Sequence, residues 1–224
     1  MTLMWNGEEK QLIDLSLEVV PPGTTDRPFV VEQKFLSDKT IKNEIFTHSH
    51  VGTHIESPAH YFKEGKDLSM FPLSAFYGRA WFLDVEVFTP EHDEIQPEDL
   101  FALLGEVLAP GDIVIGRNRD KKNRKMVQNT GRRELLPSFS PEAAIWLRDR
   151  EVKMVGIDHF FHLGKNVEKS RLFHDILLSR DILLIEGLDH LEEVKMVPFF
   201  LVAFPYRVRG MESSFARAVA FVGR

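Results

Sequence analysis

The sequence contains no cysteine among its 224 residues. Disulfide bonds, thiol nucleophiles and zinc sites built from thiolates are therefore excluded. It also lacks an excess of basic residues, and a net charge of −6 argues against a function that depends on nucleic acid. No apolar run is long enough to cross a membrane, and the N-terminus has no signal-peptide pattern. We expect a cytoplasmic protein with no nucleic-acid or membrane partner.

Apolar and polar residues alternate in patterns that predict one α/β domain with a mixed sheet, spanning residues 1–224. Strands are predicted at 12–16, 79–87, 112–115, 153–158, 182–186, 199–208 and 215–222. Helices are predicted at 97–108 and 140–150, with a shorter one around 172–179. The basic segment 117–125 has no aromatic residues for base stacking, and we expect a solvated, mobile loop.

The most informative segment is residues 50–60, where three histidines and one glutamate fall within eleven positions: His50, His54, Glu56 and His60. Imidazole and carboxylate together suit Zn²⁺, Mn²⁺ or Fe²⁺. Every pair is separated by an even number of residues, which on a strand would place all four side chains on one face. Pro58 argues against a continuous helix. The spacing predicts an extended, glycine-kinked segment that presents a row of metal ligands.

Two later residues could complete a metal site. His174 lies on the predicted short helix, and Glu186 ends a strand that is otherwise apolar. A carboxylate buried there is costly unless a cation or a donor meets it, although either residue alone is more simply explained by surface exposure or hydrogen bonding. His159 and His162 could line a pocket or simply pack, and Asp158 could be functional or cap the following turn.

In its order of motifs the chain resembles the cyclase family of metal-dependent hydrolases, which includes bacterial kynurenine formamidase and isatin hydrolase. The hallmark of that family is H-x-G-T-H-x-D-x-P-x-H, and residues 50–60 match it except at Glu56, where the family has aspartate. Further matches lie at residues 14–16, 155–158, 174–178, 185–188 and 214–217. The chain departs from the family at Phe215, which is usually proline, and at His162, where serine is common.

The resemblance implies a compact mixed α/β fold of the swivelling β/β/α type that assembles as a homodimer or homotetramer. It implies five metal ligands: His50, His54, Glu56, His174 and Glu186. Glu56 would bridge the ions in relatives that carry two, and His60 corresponds to the catalytic histidine. Zn²⁺ is the expected metal, as one or two ions, with Mn²⁺ as the alternative. The extra methylene of Glu56 either alters its bridging or is absorbed by small backbone shifts.

The chemistry of these residue types agrees with the resemblance. A zinc ion held by imidazole and carboxylate lowers the pKa of its bound water to about 7, and the resulting hydroxide can attack an amide carbonyl. His60 would pass a proton to the leaving nitrogen. We predict a metal-dependent hydrolase that cleaves a C–N amide bond in a small molecule, most specifically an N-formyl aryl amide. The alternatives are a lactam, cyclic-amide or lactone hydrolase and a metal-containing ligand-binding protein without turnover.

Overall fold

The computed structural model describes residues 2–5, 7–24, 27–86 and 94–223, and these contain thirteen strands and four helices. The strands are β1 Thr2–Trp5, β2 Glu8–Asp14, β3 Phe29–Phe35, β4 Ile41–Thr47, β5 His54–Glu56, β6 Tyr77–Val85, β7 Glu94–Ile95, β8 Ile113–Asn118, β9 Ser138–Phe139, β10 Met154–Asp158, β11 Leu183–Leu188, β12 Phe199–Pro205 and β13 Ser213–Gly223. The helices are α1 Pro97–Leu104, α2 Lys121–Thr130, α3 Pro141–Asp149 and α4 Val167–Leu178. None of the helices in these ranges is long and apolar enough to cross a membrane.

Nine of the strands form one mixed sheet in the order β1-β2-β13-β12-β6-β8-β10-β11-β5. β6, β8, β10 and β11 run parallel to one another, and the remaining neighbours are antiparallel. The first residues of β13 also pair with β5, so the seven strands from β13 round to β5 close into a ring. The predicted mixed α/β fold is confirmed.

Both faces of the central strands are buried, because their side chains alternate between two apolar layers. In β8, Ile113 and Ile115 belong to one layer and Val114 to the other. The second layer packs against α1, α3 and α4, with Leu147 and Phe173 among its fully buried side chains. This double burial explains why the core strands read as nearly continuous apolar runs in the sequence.

Most predicted elements are present with shifted boundaries. Ser140 caps α3 as predicted, and its side chain accepts a hydrogen bond from the amide of Ala143. The predicted helix 97–108 ends at Leu104. The helix predicted around 172–179 is α4, which begins five residues earlier, at Val167, because Asn166 caps it there. The predicted strand 199–208 ends at 205. Position 87, the last residue of the predicted strand 79–87, lies outside the described residues.

The prediction of a solvated loop at 117–125 was wrong. Arg117 and Asn118 end the buried strand β8. The Arg117 guanidinium forms an ion pair with Asp84 at 2.6 Å and lies 3.7 Å from the centre of the Phe82 ring. Asp120 then caps α2 by accepting hydrogen bonds from two amides of its first turn. Because this segment is rich in charged residues, its sequence pattern indicated neither the buried ion pair nor the start of the helix.

Strands β3 and β4 form a separate two-stranded hairpin that the sequence patterns did not predict. Because paired residues point to the same side, the register places Val31, Phe35, Ile41 and Ile45 on one face. The opposite face carries four charged residues and, at one end, the apolar pair Val30 and Phe46; the charged residues are Glu32, Lys34, Lys42 and Glu44. Phe35, Ile41 and Ile45 are 71%, 58% and 59% exposed. We call the face that carries Val31, Phe35, Ile41 and Ile45 the apolar hairpin face.

Candidate metal centre

Strand β5 places His54 and Glu56 side by side in the interior. It pairs with β11 on one side and β13 on the other, so its backbone is fixed from both directions. His54 is fully buried and Glu56 is 3% exposed. Nδ1 of His54 lies 2.9 Å from the carbonyl oxygen of Gly52, which can only accept a hydrogen bond, so Nδ1 carries the proton. In the neutral ring the other nitrogen, Nε2, then has the lone pair, 3.5 Å from Oε1 of Glu56.

The loop before β5 brings His50 to the same carboxylate. Nδ1 of His50 lies 2.8 Å from Oε1 of Glu56. This loop approaches the end of β11 closely because Gly187 has a left-handed backbone with φ of 69°. A Cβ atom on Gly187 would lie only 2.5 Å from the carbonyl oxygen of Gly52. Glycine at this position thus permits the contact between the two segments that carry the candidate ligands.

Helix α4 and strand β11 supply the remaining two candidates. Nε2 of His174 lies 3.3 Å from Oε2 of Glu56 and 3.8 Å from Oε1 of Glu186. Nδ1 of His174 donates to the carbonyl oxygen of Ser170 at 2.6 Å, which fixes the ring orientation. Glu186 is paired across the sheet with His54. All five residues that the resemblance implied as ligands are therefore brought together.

The cluster is strongly coupled electrostatically. Burial alone would lower the pKa of His174, but the nearby carboxylates of Glu186 and Glu56 outweigh it and raise the pKa to about 10. Burial would raise the pKa of Glu56, yet the neighbouring His174, His50 and His54 hold it well below its ordinary value. Buried carboxylates here require positive charge beside them, and a proton on His174 supplies it in the metal-free protein.

A divalent metal ion fits this set of residues. Nε2 of His54 and Oε2 of Glu56 are buried and have no hydrogen-bond partner in the described part of the chain. Leaving such atoms unpaired costs about 1–3 kcal/mol each. Ligand atoms of His50, His54 and Glu56 lie within 4.8 Å of one another, as do those of Glu56, His60 and His174. Neutral imidazole nitrogens and carboxylate oxygens are donors that Zn²⁺ and Mn²⁺ accept.

We expect metal binding at pH 7 to release about one proton from His174. Its pKa of about 10 lies above the ordinary 6.5, so the metal-free protein carries this proton at neutral pH. A cation and the proton compete for the same ring nitrogen and carboxylates, so affinity rises with pH across this range. Titration calorimetry in buffers of different ionisation enthalpy measures the release. Binding without any proton release would contradict the placement of His174 at the ion.

His60 lies beside this cluster, but not on the same strand. The predicted extended row ends at Glu56, and His60 belongs to a short 3₁₀ turn, Pro58–His60. Gly65 packs so tightly under this turn that a Cβ atom on it would lie 2.6 Å from the backbone of Pro58. Nε2 of His60 is 4.0 Å from Oε1 of Glu56. Burial lowers the pKa of His60, although the charge of Glu56 opposes it, so the ring is neutral near pH 7.

A cavity of about 630 Å³ opens beside His60 and Tyr61. Its wall also includes His162, Lys165 and Arg171. Tyr61 stacks on the ring of the candidate ligand His174 at 5.0 Å with an interplanar angle of 11°. The cavity therefore borders the cluster at His60 and Tyr61.

Two of the remaining sequence candidates have structural roles. Asp158 accepts hydrogen bonds from the amides of Asn118 at 2.8 Å and Phe160 at 2.6 Å, so it caps the turn after β10. Burial raises the pKa of Asp158 to about 7. His159 packs edge-on against the ring of Phe160. His162 alone among these candidates contributes to the cavity wall.

Sequence reasoning missed Glu212, which also approaches the cluster. Its Oε1 accepts a hydrogen bond from Oγ of Ser49 at 2.6 Å and lies 3.2 Å from Nε2 of His50. Burial would raise the pKa of Glu212, but the hydrogen bond from Ser49 and the charge of His50 outweigh it and lower the pKa. No spacing rule links Glu212 to residues 50–60. Its only signal is its position just before the match at 214–217.

Comparison with known proteins agrees with this geometry. Residues 13–161 match the model of the Cyclase family, which is more than half of the chain. The chain belongs to the Cyclase family. Cyclase-like protein 3 of Oryza sativa subsp. japonica is 30% identical over 179 residues, a match that covers 76% of this chain and 62% of the relative. The chain thus spans about three-fifths of the length of that relative.

Two further members of the comparison cover nearly the full chain. Kynurenine formamidase of Salinibacter ruber (strain DSM 13855 / M31) is 26% identical over 216 residues, covering 93% of this chain and 96% of the relative. The solved structure of isatin hydrolase A from Ralstonia solanacearum superimposes with a TM-score of 0.76 at 18% identity. That match covers 95% of this chain and 92% of the other. At this identity the structural likeness establishes a shared fold.

Proposed function

We propose that this Cyclase family member is a metal-dependent hydrolase that cleaves a C–N amide bond in a small molecule, with an N-formyl aryl amide as substrate. The observation that carries the proposal is the buried cluster of imidazoles and carboxylates around Glu56, which a cavity borders at His60. A relative named kynurenine formamidase and a structural neighbour named isatin hydrolase support it. Residues 1–224 would form one hydrolase domain, located in the cytoplasm.

His50, His54 and Glu56 would hold the primary ion, and His174 and Glu186 a second one shared with Glu56. We propose Zn²⁺, as one or two ions, with Mn²⁺ as the alternative. Glu56 directs Oε1 towards His50 and Oε2 towards His174, so its longer side chain reaches both groups. This geometry favours ordinary bridging over altered bridging at Glu56.

When bound, the metal supplies Lewis acidity that polarises a carbonyl group and lowers the pKa of a water molecule. The side chains of the protein provide the rest of the chemistry. His60 is neutral near pH 7 and faces the cavity, so it can take a proton from water and give it to the leaving nitrogen. Tyr61, stacked on His174, holds that ring in place and forms part of the wall against which an aryl group can pack.

The direct test is hydrolysis by metal-reconstituted protein of N-formylkynurenine, isatin and a simple phenyl ester. We expect turnover of the formamide, measured as formate release, and its loss after chelation and dialysis. Readdition of Zn²⁺ or Mn²⁺ should restore it, and the better ion identifies the metal. Opening of isatin without formamide turnover would favour the cyclic-amide alternative. Tight metal binding with no hydrolysis of any of the three would favour a ligand-binding protein.

We also propose that the protein assembles as a homodimer or homotetramer through the apolar hairpin face. Three large side chains on this face are more than half exposed, whereas the opposite face carries four charged residues and only one apolar pair, Val30 and Phe46. An alternation of this kind is expected when one face of a ribbon is covered by a partner. A second copy of the chain presents the same face, so a two-fold contact would cover both.

Replacing Phe35 or Ile45 with lysine should shift the assembly towards monomers, because each change places a charge in the covered apolar patch. Light scattering coupled to size-exclusion chromatography measures the mass. Lys42→Gln, on the charged face of the same hairpin, is the matched control and should leave the mass unchanged. A mass unaffected by Phe35→Lys and Ile45→Lys would remove this face from the interface.

A further inference from the structure

The environment of His50 differs from that of the other candidate ligands. His54 and His174 each donate one ring proton to a backbone carbonyl oxygen. His50 instead lies between two carboxylates, with Nδ1 at 2.8 Å from Glu56 and Nε2 at 3.2 Å from Glu212. Glu56 belongs to the metal cluster, whereas the proposed function assigns no role to Glu212.

The carboxylate of Glu212 is itself held in place. Oγ of Ser49, the residue before His50, donates to Oε1 of Glu212 at 2.6 Å. The side chain of Glu212 is about one-third exposed, and that of His50 is one-fifth exposed. Their contact therefore lies at the boundary of the buried cluster, where Glu212 contacts His50 on the side away from Glu56.

The backbone of Glu212 reaches the turn that carries His60. Its carbonyl oxygen accepts hydrogen bonds from both the amide and Oγ of Ser57, each at 2.9 Å. Ser57 immediately precedes the 3₁₀ turn Pro58–His60. One residue therefore contacts the loop of a candidate metal ligand through its side chain and the turn of the candidate proton carrier through its backbone.

We propose that Glu212 is a positioning residue for the metal centre. It holds the ring of His50 and the turn of His60 in fixed positions relative to each other. The proposal rests on the metal centre of the proposed function but not on its substrate. A carboxylate that accepts the second N–H of a metal-binding histidine fixes its tautomer and increases its basicity as a ligand. In the structure Nδ1 of His50 faces Glu56, where the ion would lie, and Nε2 faces Glu212, so Nε2 is the nitrogen that can donate its proton to Glu212.

The test is the metal affinity of full-length variants, measured by competition with a chromophoric chelator for Zn²⁺. We expect Glu212→Ala to weaken binding by about 10–100-fold, the usual effect of losing such a partner. Glu212→Gln keeps the shape and can still accept a hydrogen bond, so its loss should be smaller. Ser49→Ala should weaken binding in the same direction by freeing the carboxylate. Glu193→Gln, an exposed carboxylate elsewhere, is the control and should bind as the wild type does.

A second readout separates positioning from a general loss of stability. The visible absorption of Co²⁺-substituted protein reports the ligand geometry, and we expect its band positions to shift in Glu212→Ala while the melting temperature of the metal-free protein changes little. Wild-type affinity and spectrum in both Glu212 variants would overturn the proposal and leave the proposed function intact. Should the wild type bind no divalent ion, the metal centre itself fails, and the role of Glu212 with it. Because Glu212→Gln is nearly isosteric, misfolding of the alanine variant would not prevent the test.

Discussion

His54→Ala is expected to strip the protein of metal and reduce hydrolysis to background. His54 is fully buried, and its Nε2 has no hydrogen-bond partner among the described residues, so this atom is free to bind an ion. Replacing the side chain with a methyl group takes one ligand nitrogen away from the ion beside Glu56 and opens a cavity where the imidazole was. Loss of a residue that only hydrogen-bonds to a ligand weakens metal binding by about 10–100-fold. The loss of metal affinity in His54→Ala should be larger, because a ligand itself is removed. Elemental analysis of purified protein measures the metal content.

An exposed histidine provides the control for this experiment. His190 has a left-handed backbone with φ of 55°, and asparagine tolerates that conformation better than most residues. His190→Asn should therefore retain the wild-type metal content and activity. In the wild type, metal should also be lost progressively in acid, as the imidazoles protonate. Equal metal content in wild type and His54→Ala would exclude His54 as a ligand.

His60→Ala should differ from His54→Ala in its metal content. We expect it to retain metal while turnover falls by about 10²–10⁴-fold, the usual contribution of general acid–base catalysis. Its Nε2 is 4.0 Å from Glu56, farther than either His50 or His54, and its ring borders the cavity. The measurement pairs steady-state kinetics with metal analysis of the same preparation.

The neighbouring residue supplies a matched control for His60. Tyr61→Phe removes a hydroxyl group but keeps the ring that stacks on His174, so turnover should stay close to that of the wild type. His60, Glu56 and His174 also have ligand atoms within 4.8 Å of one another. Loss of metal from His60→Ala would therefore assign His60 as a ligand, and unchanged turnover would remove it from the mechanism.

The sequence predicted the local part of the candidate site better than its distant parts. His50, His54, Glu56 and His60 fall within eleven residues, and their chemistry could be inferred from residue type and spacing alone. His174 and Glu186 could be assigned as candidate ligands only from the order of motifs along the whole chain. Glu212 could be suspected only from its position just before the match at 214–217, because it reaches His50 through the pairing of β13 with β5, more than 150 residues apart in sequence.

The same reasoning explains which elements of the fold were missed. Core strands such as β8 are buried on both faces, so they appear in the sequence as apolar runs that predict a strand. Helix α2 buries little beyond Asn123 and Val127, and four of its ten residues are lysine or arginine. The β3–β4 hairpin packs against neither layer of the core, so core burial imposes no pattern on its sequence. Elements shaped by exposure rather than by the core are therefore the ones that pattern reasoning overlooks.

The double pairing of β5 has a consequence for the order of events during synthesis. The strand that carries His54 and Glu56 leaves the ribosome early, yet one of its two partners, β13, lies at residues 213–223. Contacts between such distant segments form late, because a long loop must first be closed. We expect β5 to be paired on one side only, with β11, until β13 docks. Closing the ring would then fix the backbone that carries two of the candidate ligands, His54 and Glu56, in one late folding step.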